Sequence, residues 1–206
     1  MYRDRQEAAE RLAELLAHLR GEHPLVLAIP RGGAPMGRVI ADALGGELDV
    51  VLVRKIGAPG NPEFAIGAVS EDGSVLLDED AQRYPEAWLR AETARQRRLI
   101  DERRRHYTPI REPIDPAGRI VVVVDDGSAT GATMAVALDT LRRRAPARLI
   151  AALGVASEEA LARLGTLVDE VVCPEVPGDF MAVGQFFADF GQVEDDEVVR
   201  LLGKAP

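Results

Sequence analysis

The segment Val121-Val122-Val123-Val124-Asp125-Asp126-Gly127-Ser128-Ala129-Thr130-Gly131-Ala132-Thr133 decides how this chain folds. Four consecutive valines suit a strand buried on both faces, which places it inside a parallel sheet covered by helices. Two adjacent carboxylates at the exposed end of such a strand are costly unless a partner satisfies them, and a sugar diol or a hydrated metal ion would do so. Gly127 and Gly131 permit tight backbone conformations, while Ser128, Thr130 and Thr133 supply hydroxyl groups immediately before a helix. Free backbone amides at the start of that helix suit a phosphate group. The segment lacks the lysine of a Walker loop and the G-x-G-x-x-G of a dinucleotide fold. An ordinary capped strand-turn-helix would need neither both acids nor the concentration of hydroxyls.

Upstream, residues 24–29 form a short apolar run that stops at Pro30-Arg31-Gly32-Gly33, after which Met36, Val39, Ile40 and Leu44 resume helical spacing. A second apolar strand is expected over residues 48–53, with Arg54-Lys55 at its end and a glycine- and proline-rich loop over 57–63. Ahead of both, Ala8, Leu12, Leu15, Leu16 and Leu19 share one helical face. Residues 65–69 and 74–77 read as a hairpin, and residues 85–107 as a long polar helix. Its arginines, Arg90, Arg95, Arg97, Arg98, Arg103, Arg104 and Arg105, read as a solvated face balanced by acids at helical spacings. Pro109, Pro113 and Pro116 break the chain before the valine strand. A helix to about Arg144, a strand over 149–155, a helix over 158–164 and a last strand over 167–173 follow. The segment from Pro174 onward is loop-rich and aromatic.

Strands alternating with helices give an α/β fold class: a mostly parallel sheet with helices on both faces, which binds ligands at the carboxyl ends of its strands. The expected organisation is a core over residues 1–173, with a hairpin and long-helix insertion at about 57–110, and a small C-terminal hood over 174–206. Acids outnumber bases 34 to 25, a net charge of −9 that argues against wrapping nucleic acid or an anionic membrane. An anionic ligand must then meet local cations, of which Arg31, Arg54 and Lys55 stand at the expected strand ends. A single cysteine, Cys173, and three scattered histidines exclude an intrachain disulfide and a zinc-type ligand spacing. Cys173 reads as an inert buried thiol. With no secretory signal and no apolar run of about 20 residues, a cytoplasmic protein is expected.

The valine-to-threonine segment resembles the thirteen-residue signature of type I phosphoribosyltransferases. Pro30-Arg31-Gly32-Gly33 is similar to their diphosphate loop, and Val53-Arg54-Lys55 to the basic pair after the next strand. The resemblance implies a site for 5-phosphoribosyl 1-diphosphate (PRPP) and Mg2+, with the metal carried by PRPP near Asp125 and Asp126 and no direct protein ligand assigned. It implies that Asp125 and Asp126 hold the ribose hydroxyls, that Gly127, Ser128, Ala129, Thr130, Gly131, Ala132 and Thr133 hold the 5-phosphate, and that Arg31, Gly32, Gly33, Arg54 and Lys55 take the diphosphate. It also implies a cis Pro30–Arg31 peptide, a lid over residues 57–71 and a homodimer. The second partner would be a nitrogenous base, joined to the ribose as diphosphate leaves. Which base stays open: Ala129 stands where hypoxanthine-guanine enzymes place an aspartate, as in adenine- and orotate-type signatures. Residues 180–190 resemble the base-covering hood of 6-oxopurine enzymes, with Phe180 and Asp189 as base contacts. The alternative is a PRPP-binding sensor or regulator without useful catalysis. Several anion-binding elements are required in either case. A helix terminus contributes about 0.3–1 kcal/mol, whereas micromolar affinity needs about 8 kcal/mol.

Overall fold

The computed structural model describes residues 1–108 and 113–203, apart from the side chains of residues 62, 63 and 65. Helix α1, Arg5–Leu15, starts where the Asp4 carboxylate accepts the Glu7 amide, and a 3-10 turn at Ala17–Leu19 follows it. Strand β1, Leu25–Ala28, leads to α2, Gly33–Leu44, which ends on Gly45 in the left-handed region. Strand β2 is Glu47–Val50; β3, Val53–Ala58, β4, Asn61–Ser70, and β5, Val75–Leu77, come next. The long helix α3 is Glu86–Tyr107. Strand β6, Ile120–Ser128, helix α4, Ala132–Arg143, and strand β7, Arg148–Ala156, continue the chain. Helix α5, Glu158–Gly165, capped by Ser157, leads to β8, Glu170–Val172. A 3-10 turn at Val183–Phe186 and α6, Asp195–Gly203, complete it.

Five strands form one parallel sheet in the order β2-β1-β6-β7-β8. The four valines of β6 are all fully buried, and strand alternation sends them in opposite directions. Val122 and Val124 join the core that holds Leu12 of α1 and Ile40 of α2. Val121 and Val123 join the opposite core, with Leu138 of α4 and Leu164 of α5. Each contributes roughly 1.5–3 kcal/mol of burial free energy. The α/β class with helices on both faces therefore holds, and β1 and β6 lie side by side in register from Leu25↔Val121 to Ala28↔Val124.

Several local expectations change. Residues 48–53 are not one strand. The chain leaves the parallel sheet after Val50 and, from Val53, enters a separate antiparallel sheet, β3-β4-β5. Arg54 and Lys55 thus sit inside β3 rather than at the end of a parallel strand. The loop expected at 57–63 is mostly β3 and β4 joined by a tight turn at Pro59-Gly60, where Gly60 takes φ +77°. Register shifts at Ile56, Gly57 and Ala58 absorb the glycines that suggested a loop. The 65–69/74–77 hairpin forms as part of β4 and β5. Leu15 is exposed because α1 ends there and the chain tightens into the 3-10 turn. Strand β6 continues through both acids to Ser128, because β7 pairs with it as far as Ala156. The last parallel strand shortens to three residues. Helix α6 lies within the segment expected to be loop-rich and buries Val198 and Leu202. The break expected at Pro109 lies outside the described residues.

Helix α3 is polar, yet it buries Leu89, Gln96, Ile100 and Tyr107. One member of its arginine series departs from the solvated reading. Arg104 reaches Asp49 Oδ1 at 2.9 Å, both carboxylate oxygens of Glu71 and the Val50 carbonyl, at 14% side-chain exposure. This cluster fastens α3 and the antiparallel arm to β2.

Candidate active site

The carboxyl end of β6 carries both acids. The Asp125 carboxylate accepts its neighbour's amide, Asp126 N–H, at 2.9 Å, and no other described residue donates to it. Burial and the adjacent Asp126 hold Asp125 well above the usual carboxylate range. Burial also raises Asp126, against the pull of the Arg5 guanidinium, whose Nε donates to Asp126 Oδ2 at 2.9 Å. Gly127 must be glycine: a β-carbon would press on Val155 and Val183. The turn into α4 is held by Ser128 Oγ, which accepts the Gly131 amide at 2.9 Å, and by Ser157 Oγ, which donates to the Ala129 carbonyl at 2.5 Å. Gly131 caps α4 in the left-handed region at φ +69°. Ala129 and Thr130 are exposed, and Thr133 lies in the first turn of α4, so hydroxyls and helix-start amides lie together on this loop.

The loop after β1 packs against this end of β6 because the two strands are neighbours. The Ile29 amide donates to the Val124 carbonyl at 2.8 Å, and Gly33 N–H donates to the Ile29 carbonyl at 3.0 Å. The Pro30–Arg31 peptide is cis, as the resemblance implies. A β-carbon at Gly32 would collide with the Asp126 carboxylate, and one at Gly33 with the Val124 carbonyl. Both glycines are therefore required by close approach. Arg31 is 3.7 Å from Glu194, ahead of α6.

Arg54 Nε donates to Gln96 Oε1 of α3 at 2.6 Å. Burial, with Arg103 and Arg95 nearby, lowers its pKa from the ordinary value. Pro30, Arg54, Arg103 and Thr133 line one small cavity of about 50 Å3. Lys55 is exposed and, with Arg54 and Thr133, edges a larger cleft toward α3. The 30–33 and 125–133 loops are thus in contact, and Arg54 reaches the same cavity as Pro30 and Thr133.

On the other side, the N-terminal segment pairs with residues 186–188, in the segment expected to form the hood. Tyr2 N–H donates to Phe186 O and Tyr2 O accepts from Ala188 N–H, both at 2.8 Å; Tyr2 Oη donates to Gly154 O at 2.9 Å. Phe180 is half-buried against Phe186. Asp189 is exposed, its amide bound to Arg3 O at 2.7 Å and its carboxylate accepting from Gly191 N–H. Neither hydrogen-bonds Asp125 or Asp126.

Sequence reasoning missed Arg5. Besides its Asp126 contact it donates through Nη1 to Gly191 O at 2.7 Å and lies 3.9 Å from the centre of the Phe190 ring. A signal was present: Arg5 is the first residue of α1, where the helix dipole disfavours a cation. An external anion, here Asp126, resolves that conflict.

Among the described residues no group of three or more candidate metal ligands occurs. Two adjacent carboxylates, one of them with an oxygen to which no described residue donates a hydrogen bond, match the way Mg2+ is bound through one or two carboxylates together with substrate phosphates.

A sequence profile of the Phosphoribosyl transferase domain matches residues 2–187. The chain is 40% identical over 208 aligned positions to proteins from two strains of Mycobacterium tuberculosis, both provisionally named phosphoribosyl transferases. All of this chain is covered, and it spans 47% of each of those relatives, about half their length. The crystal structure of TT1426 from Thermus thermophilus superposes with a TM-score of 0.86 at 50% identity, covering 98% of this chain and 97% of that one. With its parallel sheet, its β1 and β6 loops meeting at Asp126 and the profile running across nearly its whole length, the chain belongs to the phosphoribosyl transferase domain family.

Proposed function

We propose that this protein binds PRPP with Mg2+ and transfers the phosphoribosyl group to a nitrogenous base, releasing diphosphate. The observation that carries this reading is the contact between Gly32 of the 30–33 loop and the Asp126 carboxylate, beside an amide- and hydroxyl-rich turn, in a chain of this family. Asp125 and Asp126 accept hydrogen bonds from the ribose hydroxyls. Residues 127–133 hold the 5-phosphate through helix-start amides and the hydroxyls of Ser128, Thr130 and Thr133. Arg31, Gly32, Gly33, Arg54 and Lys55 hold the diphosphate. Charge-assisted hydrogen bonds of about 1.5–3 kcal/mol each let these cations offset the chain's overall negative charge locally. Asp125 and Asp126 are the residues that would hold Mg2+ beside the substrate phosphates. The ion, when bound, helps neutralise charge developing on the leaving diphosphate.

In the transfer step a nitrogen lone pair of the base bonds to the anomeric carbon as its bond to the diphosphate oxygen breaks. The bonding pair leaves with diphosphate, which takes up the nitrogen's proton. Arg54 and Lys55 stabilise the departing charge, and the β3–β4 arm over residues 57–71 closes to exclude water. The core over residues 1–173 carries the donor. The hood over residues 174–206 covers the base, with Phe180 stacking and Asp189 reading its edge. Arg5 positions Asp126 from the hood side. Exposed Phe64, Val75 and Leu77 on the arm support a homodimer contact there. Among the described residues no helix is long and apolar enough to cross a membrane; a cytoplasmic setting is part of the proposal.

The test is diphosphate release from PRPP across a panel of purine and pyrimidine bases, with and without Mg2+, alongside calorimetry of donor binding. Release should require one class of base and the metal. Asp126→Asn should weaken Mg2+-dependent donor binding by about 1.5–3 kcal/mol. Shortening residues 59–61 should lower single-turnover transfer more than donor affinity. Tight donor binding with no release for any base would replace transfer by sensing, and unchanged donor affinity in the folded Asp126→Asn protein would remove the donor site itself.

A further inference from the structure

Residues 191–195 run from the guanidinium that answers Asp126 to the loop over 30–33, and their backbone is held along the way. The Gly191 carbonyl accepts from Arg5 Nη1 at 2.7 Å, and Val193 is buried. The Glu194 carbonyl accepts the Glu197 and Val198 amides at 3.0 and 3.2 Å, so α6 starts on Glu194. Helix α6 packs on α2 and α3 and buries Val198 and Leu202. One residue on, the Asp195 carboxylate accepts the hydroxyl of Tyr107, the last residue of α3, at 2.5 Å. Burial and this bond raise the Tyr107 hydroxyl above its ordinary range, and Arg103 and Arg31 stand near enough to pull against them.

Between these anchors the Glu194 side chain is left at the surface. Its carboxylate, 67% exposed, stands 3.7 Å from Arg31 Nη1, on a side chain 31% exposed. That separation makes an ion pair without a hydrogen bond, unlike the bonded and largely buried contacts of Arg5 and Arg104. Exposed pairs contribute little to stability, so this one is poorly suited to holding the fold. It is well suited to exchange, because a guanidinium bonds phosphate oxygens more strongly than it holds a carboxylate at this distance. We propose that Glu194 is an internal competitor of diphosphate for Arg31, a role that rests on the reading that the 30–33 loop takes the diphosphate of the donor. Before the donor arrives, the carboxylate answers Arg31, and the arriving diphosphate displaces it. Since its backbone is fixed on both flanks, the carboxylate stays within reach and reclaims the guanidinium as diphosphate departs. Glu194 therefore weakens donor and diphosphate binding together and favours release of the product.

The test is calorimetry of the full chain with Mg2+-pyrophosphate and with Mg2+-PRPP. Glu194→Gln keeps the length of the side chain and removes its charge, and should tighten binding of both by about 2–5-fold. A merely structural role would give no gain. Arg31→Met should weaken pyrophosphate by about tenfold or more, and adding Glu194→Gln to it should restore nothing. Asp196→Asn removes the same charge two residues away, from a side chain 83% exposed beside His106, and should change affinity by less than about 1.5-fold. Unchanged or weaker binding in folded Glu194→Gln, a gain that survives in the double variant, or an equal gain from Asp196→Asn would overturn the proposal. The two readings fail differently. A parent chain that binds neither pyrophosphate nor PRPP rejects the donor site and the competition with it, whereas binding that Arg31→Met weakens and Glu194→Gln leaves unchanged rejects the competition and keeps the donor site.

Discussion

The loops over 30–33 and 125–133 sit on adjacent parallel strands and meet through backbone hydrogen bonds and glycines that leave no room for a β-carbon. The walls around them are attached differently. The arm and α3 are fastened to β2 by Arg104, which reaches Asp49 and Glu71, and the hood meets the core at Arg5, which joins Asp126 to Gly191 and Phe190. In the loops, geometry follows from the sheet and is shared by many small contacts. In the walls, apolar packing and a few backbone bonds are joined by single, mostly buried guanidinium groups, each desolvated and each facing carboxylates. The loops should therefore tolerate loss of a wall, whereas each wall should be most sensitive at its guanidinium.

The largest effect that could break this contrast is expected at Arg104. Arg104→Met removes the guanidinium that answers Asp49, at 1% side-chain exposure, and Glu71, and leaves Asp49 to the Val50 and Ile114 amides. Breaking a buried pair in this way costs about 3–5 kcal/mol. Thermal melting should fall by roughly 6–20 °C, and hydrogen exchange should accelerate in residues 53–77 before it does in β6. Uniform acceleration across both sheets would show that arm and core are one cooperative unit.

Arg5→Met should follow, at the lower end of the same range, about 3 kcal/mol, because both side chains of the Arg5–Asp126 pair are 13% exposed. Exchange should rise first in residues 186–191 while the amides of β1 and β6 remain protected. A melting temperature within about 1 °C of the parent would mean that the hood is held by Tyr2 and its backbone bonds instead.

A smaller change sharpens the comparison at the arm's tip. Gly60 sits at φ +77° with open space around its missing side chain, so Gly60→Ala costs conformational strain alone, about 1–2 kcal/mol. The arm turn should loosen with little change in donor binding. A loss of donor affinity as large as that expected for Asp126→Asn would place the tip inside the donor site.

The smallest effect concerns Cys173, whose thiol is pushed up to about 11, first by burial. It stays protonated near neutral pH, so alkylation by iodoacetamide should run at least about tenfold slower than for a free cysteine. Because the folded state holds this proton more tightly than the unfolded state, the associated stability is present at neutral pH and declines as pH rises toward 11. Fast alkylation would show that the segment after β8 opens readily.

Local signals were strong wherever one short segment carried both the packing and the chemistry. The valine run announced a strand with two buried faces, and the acids, glycines and hydroxyls after it announced a turn suited to an anion. They misled where glycine and proline stood in for conformation. Residues 57–63 read as a loop, yet the register shifts of β3 accommodate the same glycines within a sheet. Nor could composition separate Arg104 from the six other arginines singled out on its helix, since only its placement over Asp49 removes it from solvent. Helix α6 escaped because its first turn is three acids, and its apolar face, Val198 and Leu202, has meaning only against the core it covers.

By itself, then, the sequence determined the parallel α/β sheet, the family and the candidate donor loops, because each of these follows from contiguous residues whose spacing is also their geometry. Only the tertiary structure decided that Arg5 answers Asp126 and that Arg104 answers Asp49 and Glu71. Those pairings join residues from 33 to 121 positions apart. Which of many similar arginines loses its water is fixed by where helices and strands come to rest, and no local pattern carries that information.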